Sequence, residues 1–139
     1  MEIILKTEKD TIEFAKKFSK QLKAGDVLLL DGDLGAGKTV FTKGLVLGLS
    51  GGKEIAISPT FTIVNEYNTT PKLYHFDFYR IKSEDELVAI GIEEYLFSDA
   101  ICVVEWPERA PNILSMVKTK TVKILKVDGG RKIILNGEE

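Results

Sequence analysis

Apolar and polar positions fall into blocks along the chain, and each block has the period of one kind of element. Val27, Leu28, Leu29 and Leu30 form an uninterrupted apolar run, and residues 100–104 form a second. Both predict strands covered on two faces, as in a parallel sheet. Residues 2–6 alternate weakly and predict a first strand. Thr7, Glu8, Lys9 and Asp10 then have the form of a capping box, with Thr7 at the N-cap. Ile12, Ala15, Phe18 and Leu22 mark one helical face beyond it, and Gly25 reads as the stop. Residues 40–49 predict a second helix, closed by Ser50, Gly51 and Gly52. Residues 55–57 predict a short strand, broken because Pro59 lacks an N–H and restricts Ser58. Residues 61–67 and 73–79 both alternate around a polar stretch at 68–71, which predicts an antiparallel hairpin. A second capping box at residues 83–86 predicts a helix to about 90, stopped by Gly91, with a short helix at 93–97. Residues 121–127 and 132–135 predict a last hairpin around Asp128, Gly129 and Gly130.

Between the first apolar run and the second helix lies GDLGAGKT, residues 32–39, which fits G-x-x-x-x-G-K-[ST]. Strand, glycine loop and helix in that order are the context in which this P-loop, or Walker A, motif works. Gly32, Gly35 and Gly37 let the loop curl so that the N–H groups of Asp33, Leu34, Gly35, Ala36 and Gly37 point into one concavity. The following helix aims its free N–H groups and positive dipole end at the same place. Lys38 adds a mobile point charge for β- and γ-phosphates, and the Thr39 hydroxyl suits a magnesium ion bridging them. The chain therefore reads as a binder of a nucleoside triphosphate with Mg2+.

The elements and motif together predict an α/β protein, a P-loop NTPase-like three-layer sandwich. It has a mixed central sheet, helices on both faces and antiparallel hairpins. At 139 residues the chain is long enough for one domain with a real core, so residues 1–139 are expected to form a single P-loop domain. Its composition, 44% hydrophobic and 29% charged, is that of an ordinary globular protein. No basic segment followed by an apolar core opens the chain, and the longest apolar run is too short to cross a bilayer. The single cysteine, Cys102, lies inside that run and reads as a small buried side chain. A cytoplasmic protein with no membrane attachment is expected. The net charge of −2 argues against a basic face that could hold nucleic acid unaided, so any RNA is expected to be held through a partner.

A P-loop also needs an acid at the end of a neighbouring strand. Glu105 ends the most apolar run of the chain and matches the Walker B pattern. Asp77 interrupts an aromatic stretch, and reads either as a second site acid or as an outward, solvated position. Thr60 and Thr62 flank Phe61 after Pro59, where a hydroxyl could sense a γ-phosphate, although Ser-Pro-Thr is also a common turn. His75, the only histidine, reads as a packed structural residue among aromatics ahead of a catalytic one. Trp106 fits either the core or a partner surface, and Arg80 either a phosphate or the cover of the hairpin.

GDLGAGKT at 32–39, SPTFT at 58–62, HFDFYR at 75–80, GIEEYL at 91–96 and VEWP at 104–107 occur in this order. Together they closely resemble the TsaE (YjeE) family of small bacterial P-loop ATPases, over nearly the full chain. The resemblance implies a role in making threonylcarbamoyladenosine (t6A) at position 37 of tRNAs that read codons beginning with A. It implies an accessory ATPase that binds a threonylcarbamoyl transferase subunit and its paralogous partner, of the TsaD and TsaB type. Hydrolysis would reset that complex between turnovers, with tRNA met only through the complex. By position the resemblance makes Lys38 and Thr39 phosphate and magnesium residues, and Glu105 a second magnesium-associated acid. Asp77 becomes a carboxylate needed for hydrolysis, and Thr60 and Thr62 part of a switch-like loop. Trp106 would lie beside the site and report on nucleotide. Further nucleotide contacts are implied at Thr7, Glu8 or Thr11, and at Arg131.

Two other readings fit a bare P-loop. A small-molecule kinase usually carries arginines in a lid, whereas Arg80 and Arg109, the arginines besides Arg131, lie in no lid-like insertion. A non-hydrolysing nucleotide switch of the GTPase type would need a guanine-reading N-K-x-D sequence, which the chain lacks.

Overall fold

The computed structural model describes residues 1–33, 35–53 and 63–136. Its strands are β1 (Glu2–Leu5), β2 (Val27–Asp31), β3 (Val64–Tyr67), β4 (Leu73–Asp77), β5 (Ile101–Glu105), β6 (Lys120–Val127) and β7 (Gly130–Asn136). Its helices are α1 (Glu8–Ser19), α2 (Lys38–Ser50), α3 (Asp85–Ala89), α4 (Ile92–Leu96) and α5 (Pro111–Leu114), with a 3-10 turn at Pro107–Arg109. The strands form one seven-stranded sheet in the order β1-β7-β6-β2-β5-β4-β3. The central neighbours β6, β2, β5 and β4 run parallel, and the outer pairs are antiparallel.

Two apolar layers explain why the central runs lack polar alternation. Leu28, Leu30, Ile101 and Val103 pack with Ala15, Phe18, Phe41 and Leu45, so α1 and α2 cover one face. Val27, Cys102 and Val104 pack with Leu87, Ile92, Leu96 and Leu114, so α3, α4 and α5 cover the other. Every residue of β5 is buried. The three-layer sandwich expected from the motif and the runs is thus the fold observed.

Local signals set most boundaries. The Thr7 Oγ1 accepts the Asp10 N–H at 3.0 Å and caps α1 as the sequence predicts. That helix ends at Ser19, earlier than the Gly25 stop implies. Gly25 instead takes φ +90° in the return loop and donates its N–H to the Ala100 carbonyl at 3.1 Å. Gly51 (φ 65°) and the Gly52 N–H to Leu47 O bond, 3.0 Å, close α2 as expected. At the predicted second capping box, Glu86 Oε2 accepts the Ser83 N–H at 3.2 Å, the reaching-back half of that device. The strand predicted at 55–57 lies outside the described residues. Among the described residues, no helix is long and apolar enough to cross a membrane.

Candidate active site

Parallel register brings the site together. Leu30, near the end of β2, is paired with Glu105 at the end of β5, and Glu105 is paired with Asp77 at the end of β4. The carboxyl ends of three adjacent strands therefore deliver the glycine loop and both acids to one rim, where α/β sheets bind ligands.

The loop needs its glycines. A Cβ on Gly32 would lie 2.6 Å from the Ile124 carbonyl oxygen, so β6 leaves no room for a side chain. Gly35 and Gly37 take φ +77° and +112°, which L side chains rarely adopt. Asp33 O accepts the Ala36 N–H at 3.0 Å and tightens the turn. α2 starts at Lys38, directly after Gly37, so its orphan N–H groups open on the same concavity.

Lys38 is 5% exposed, and its Nζ has no hydrogen-bond partner among the described residues. The ammonium instead sits 3.8 Å from the centroid of the Trp106 ring. Trp106 holds that position in a left-handed backbone conformation, φ 57°, and also packs against Tyr79 with centroids 4.8 Å apart.

The two acids differ in setting. Asp77 Oδ1 accepts the Tyr79 N–H at 2.9 Å. Burial, foremost, raises the Asp77 pKa above its ordinary 3.8, and the nearby Glu105 carboxylate adds to the rise; the Tyr79 N–H, His75 and Lys38 act against it. Glu105 is 4% exposed, and its Oε2 lies 2.6 Å from His75 Nε2. The expectation of a merely packed His75 misses this bond, because the pairing runs across two strands and has no local sequence signal.

A cavity of about 420 Å³ joins these groups. Of the residues singled out from sequence, Gly35, Gly37, Lys38, Thr39, Asp77, Glu105 and Trp106 line it, as do Thr7, Glu8, Thr11 and Arg131. Asp33 and Ala36 are not among its lining residues. Arg131 Nε donates to Ala36 O at 2.8 Å, tying the last hairpin to the loop. Leu34, Thr60 and Thr62 lie outside the described residues. Tyr79, Lys6 and Gly130 also line the cavity without having been singled out from sequence.

A triphosphate fits this donor set. A buried ammonium with no acceptor among the described residues, beside glycines whose backbone conformation would strain a side chain, wants an anion. Magnesium fits with it. Among the described residues, no three His, Cys, Asp or Glu side chains are grouped to hold a metal ion. Mg2+ is usually held by one or two protein oxygens plus substrate phosphates and water, and Thr39 and Glu105 could supply the protein share.

Three layers, a mixed sheet and a glycine loop facing strand-end acids define an α/β protein of the P-loop NTPase-like class. Within that class the chain belongs to the TsaE family, whose model, "Threonylcarbamoyl adenosine biosynthesis protein TsaE", matches residues 5–133. Among its relatives is the tRNA threonylcarbamoyladenosine biosynthesis protein TsaE of Treponema pallidum, 38% identical over 134 residues, or 96% of this chain and 98% of that protein. The protein of the same name from Rickettsia typhi is 43% identical over 112 residues, 80% of this chain and 77% of the relative. That of Bacillus subtilis is 51% identical over 98 residues, 70% of this chain and 60% of the relative. The crystal structure of Bacillus subtilis YdiB is similar throughout, with TM-score 0.77 and 34% identity, covering 97% of this chain and 83% of that one.

Proposed function

We propose that this chain is a cytoplasmic accessory ATPase of tRNA t6A biosynthesis, the process for which its family is named. It binds ATP with Mg2+ in the cavity and hydrolyses it to ADP and phosphate. It does so in support of a threonylcarbamoyl transferase subunit and its paralogous partner, of the TsaD and TsaB type. The observation that carries the ATP-binding reading is the buried Lys38 ammonium, which has no acceptor among the described residues and lines the cavity together with Gly35 and Gly37. The tRNA link rests on family membership, and the net charge of −2 supports contact with tRNA through partners only.

The loop amides and Lys38 bind and align the phosphates. Bound magnesium would supply charge neutralisation at the γ-phosphate, held on the protein side by Thr39 and Glu105. Asp77 is oriented by the Tyr79 N–H and stands at the strand end beside Glu105, so its carboxylate can accept a hydrogen bond from the attacking water. Water attacks in line, the new P–O bond forms, and the bond to the β-phosphate oxygen breaks. Hydrolysis by the isolated protein should be slow. Among the described residues, Arg131 is the one arginine lining the cavity, and its Nε is held by Ala36 O.

The test is Lys38→Ala. Losing a charge-assisted bond of about 1.5–3 kcal/mol should weaken ATP binding roughly 10- to 100-fold and remove turnover. Calorimetry and phosphate release measure these, and wild-type values in the variant would reject the site. Reconstituted tRNA modification with the transferase pair, run over many turnovers, tests the cellular role. A yield that ignores this protein would reject it.

A further inference from the structure

The sole histidine is buried on β4, two residues before Asp77 at the rim of the cavity. His75 and Glu105 side chains are 0% and 6% exposed, and their Nε2 and Oε2 atoms lie 2.6 Å apart. His75 Nδ1 has no partner among the described residues. On the same face, Leu73 before it on β4 and Val103 opposite it on β5 are apolar, while Asp77 after it on β4 and Asn65 opposite it on β3 are polar. A leucine at position 75 would satisfy that layer without leaving a buried nitrogen unpaired, which costs stability. What the imidazole gains in exchange is a hydrogen bond with the Glu105 carboxylate.

We infer that His75 is a positioning residue for Glu105, on the reading that the cavity takes nucleotide and Mg2+. A carboxylate only accepts, so the imidazole carries a proton on Nε2 and donates it to Oε2. That bond takes up one oxygen and fixes the plane of the group. Glu105 still lines the cavity, so Oε1, the oxygen the imidazole leaves free, would be the one available to a cation there. A histidine partner to a metal-associated carboxylate acts as such outer partners do elsewhere, by limiting its orientations. His75 is not among the residues lining the cavity, so it acts on a cation there through Glu105.

The experiment uses the full chain and two variants. His75→Gln keeps an N–H at similar reach, and His75→Leu keeps bulk without a donor. The sole tryptophan, Trp106, gives a fluorescence readout of ADP binding and of Mg2+ binding to the ADP-loaded protein. His75→Leu should bind ADP without metal within about twofold of wild type, while its Mg2+ dissociation constant rises roughly 10- to 100-fold. Its kcat for ATP should fall by a similar factor. His75→Gln should recover both to within about threefold. Overturning results are a wild-type Mg2+ constant in His75→Leu, or equal impairment of the two variants, which would assign the effect to ring shape. Should the leucine variant fail to fold, nitrogen NMR of the one imidazole in the wild type decides. A single Nε2–H signal supports the bond, and averaging between tautomers overturns it. A wild type that ignores both ATP and Mg2+ rejects the nucleotide reading along with the inference. A responsive wild type matched by His75→Leu rejects the inference alone.

Discussion

Lys38 and Trp106 form a resting pair whose terms conflict with ordinary side-chain preferences. A left-handed backbone at a residue with a Cβ costs roughly 1–2 kcal/mol, and Trp106 carries that strain to hold its ring under the ammonium. Phosphate would compete for the same ammonium, so the ring should lose its cation when nucleotide binds. Adding ADP should therefore change the emission of this single tryptophan, and Lys38→Ala should abolish the change; an emission indifferent to saturating ADP would contradict the exchange. Asp77 supplies a test by pH. Its pKa is raised above 3.8 by burial first and by Glu105 next. The folded state thus holds a proton at pH values where the unfolded chain has released it, and the resulting stability is lost as pH rises through the folded pKa. Asp77→Asn should then raise Tm at pH 7, with the gain shrinking toward about pH 4, while hydrolysis is lost. A variant no more stable than the parent at pH 7 would reject this. Cys102 shows the reverse case of an inert group. Burial pushes its thiol up to about 12, so a thiol reagent should label it only after denaturation.

At the scale of elements, the crossing of α1 and α2 decides how closely the nucleotide-loop helix lies on its neighbour. A Cβ on Gly44 would stand 2.5 Å from the Ala15 Cβ and 2.6 Å from the Ile12 carbonyl oxygen, and one on Gly48 would overlap Ser19 Oγ. Alanine at a helix glycine normally adds about 0.5–1 kcal/mol of stability. Overpacking costs about 1–3 kcal/mol, and here the obstacle at Gly44 includes backbone, so the clash should win. Gly44→Ala should lower the denaturant midpoint by the equivalent of about 1 kcal/mol or more; an unchanged or higher midpoint would mean the helices part freely. Both α1 and α2 were legible from their periodicity, and the hairpins from alternation. The end of α1 was not, because its last turn closes on backbone bonds and Gly25 serves the following loop. α5 was not legible either. Its Ile113 N–H and the Asn112 amide are held by the Glu84 carboxylate at 2.8 and 2.9 Å, and that residue lies 29 and 28 positions upstream. A cap supplied from so far away leaves no mark in the local pattern.

For the whole molecule, the order of strands converts separate motifs into one site. The apolar runs announced the parallel centre, and the glycine loop with two strand-end acids announced the rim, because each is a local consequence of burial or backbone freedom. Which strand lies beside β2 on its other side had no such signal. That place falls to β6, whose hairpin partner β7 pairs in turn with β1, so the end of β1 at Leu5 and the start of β7 at Arg131 meet beside the loop. Arg131 exploits this, reaching Ala36 O across 95 positions of sequence. It also stands opposite Lys126 in the hairpin register, and like charges placed so are destabilising. A bound polyanion would relieve that repulsion, which on the proposed function would make the hairpin part of the nucleotide-binding unit. Arg131→Ala should therefore loosen the loop and weaken nucleotide binding without touching the core. Amide exchange should quicken at residues 35–37 while β2 and β5 keep their protection, and ADP affinity should fall roughly tenfold, as for one lost charge-assisted bond. Faster exchange in β5 as well would show that the arginine supports the entire sheet. Unchanged exchange and affinity would leave the hairpin an ordinary sheet edge.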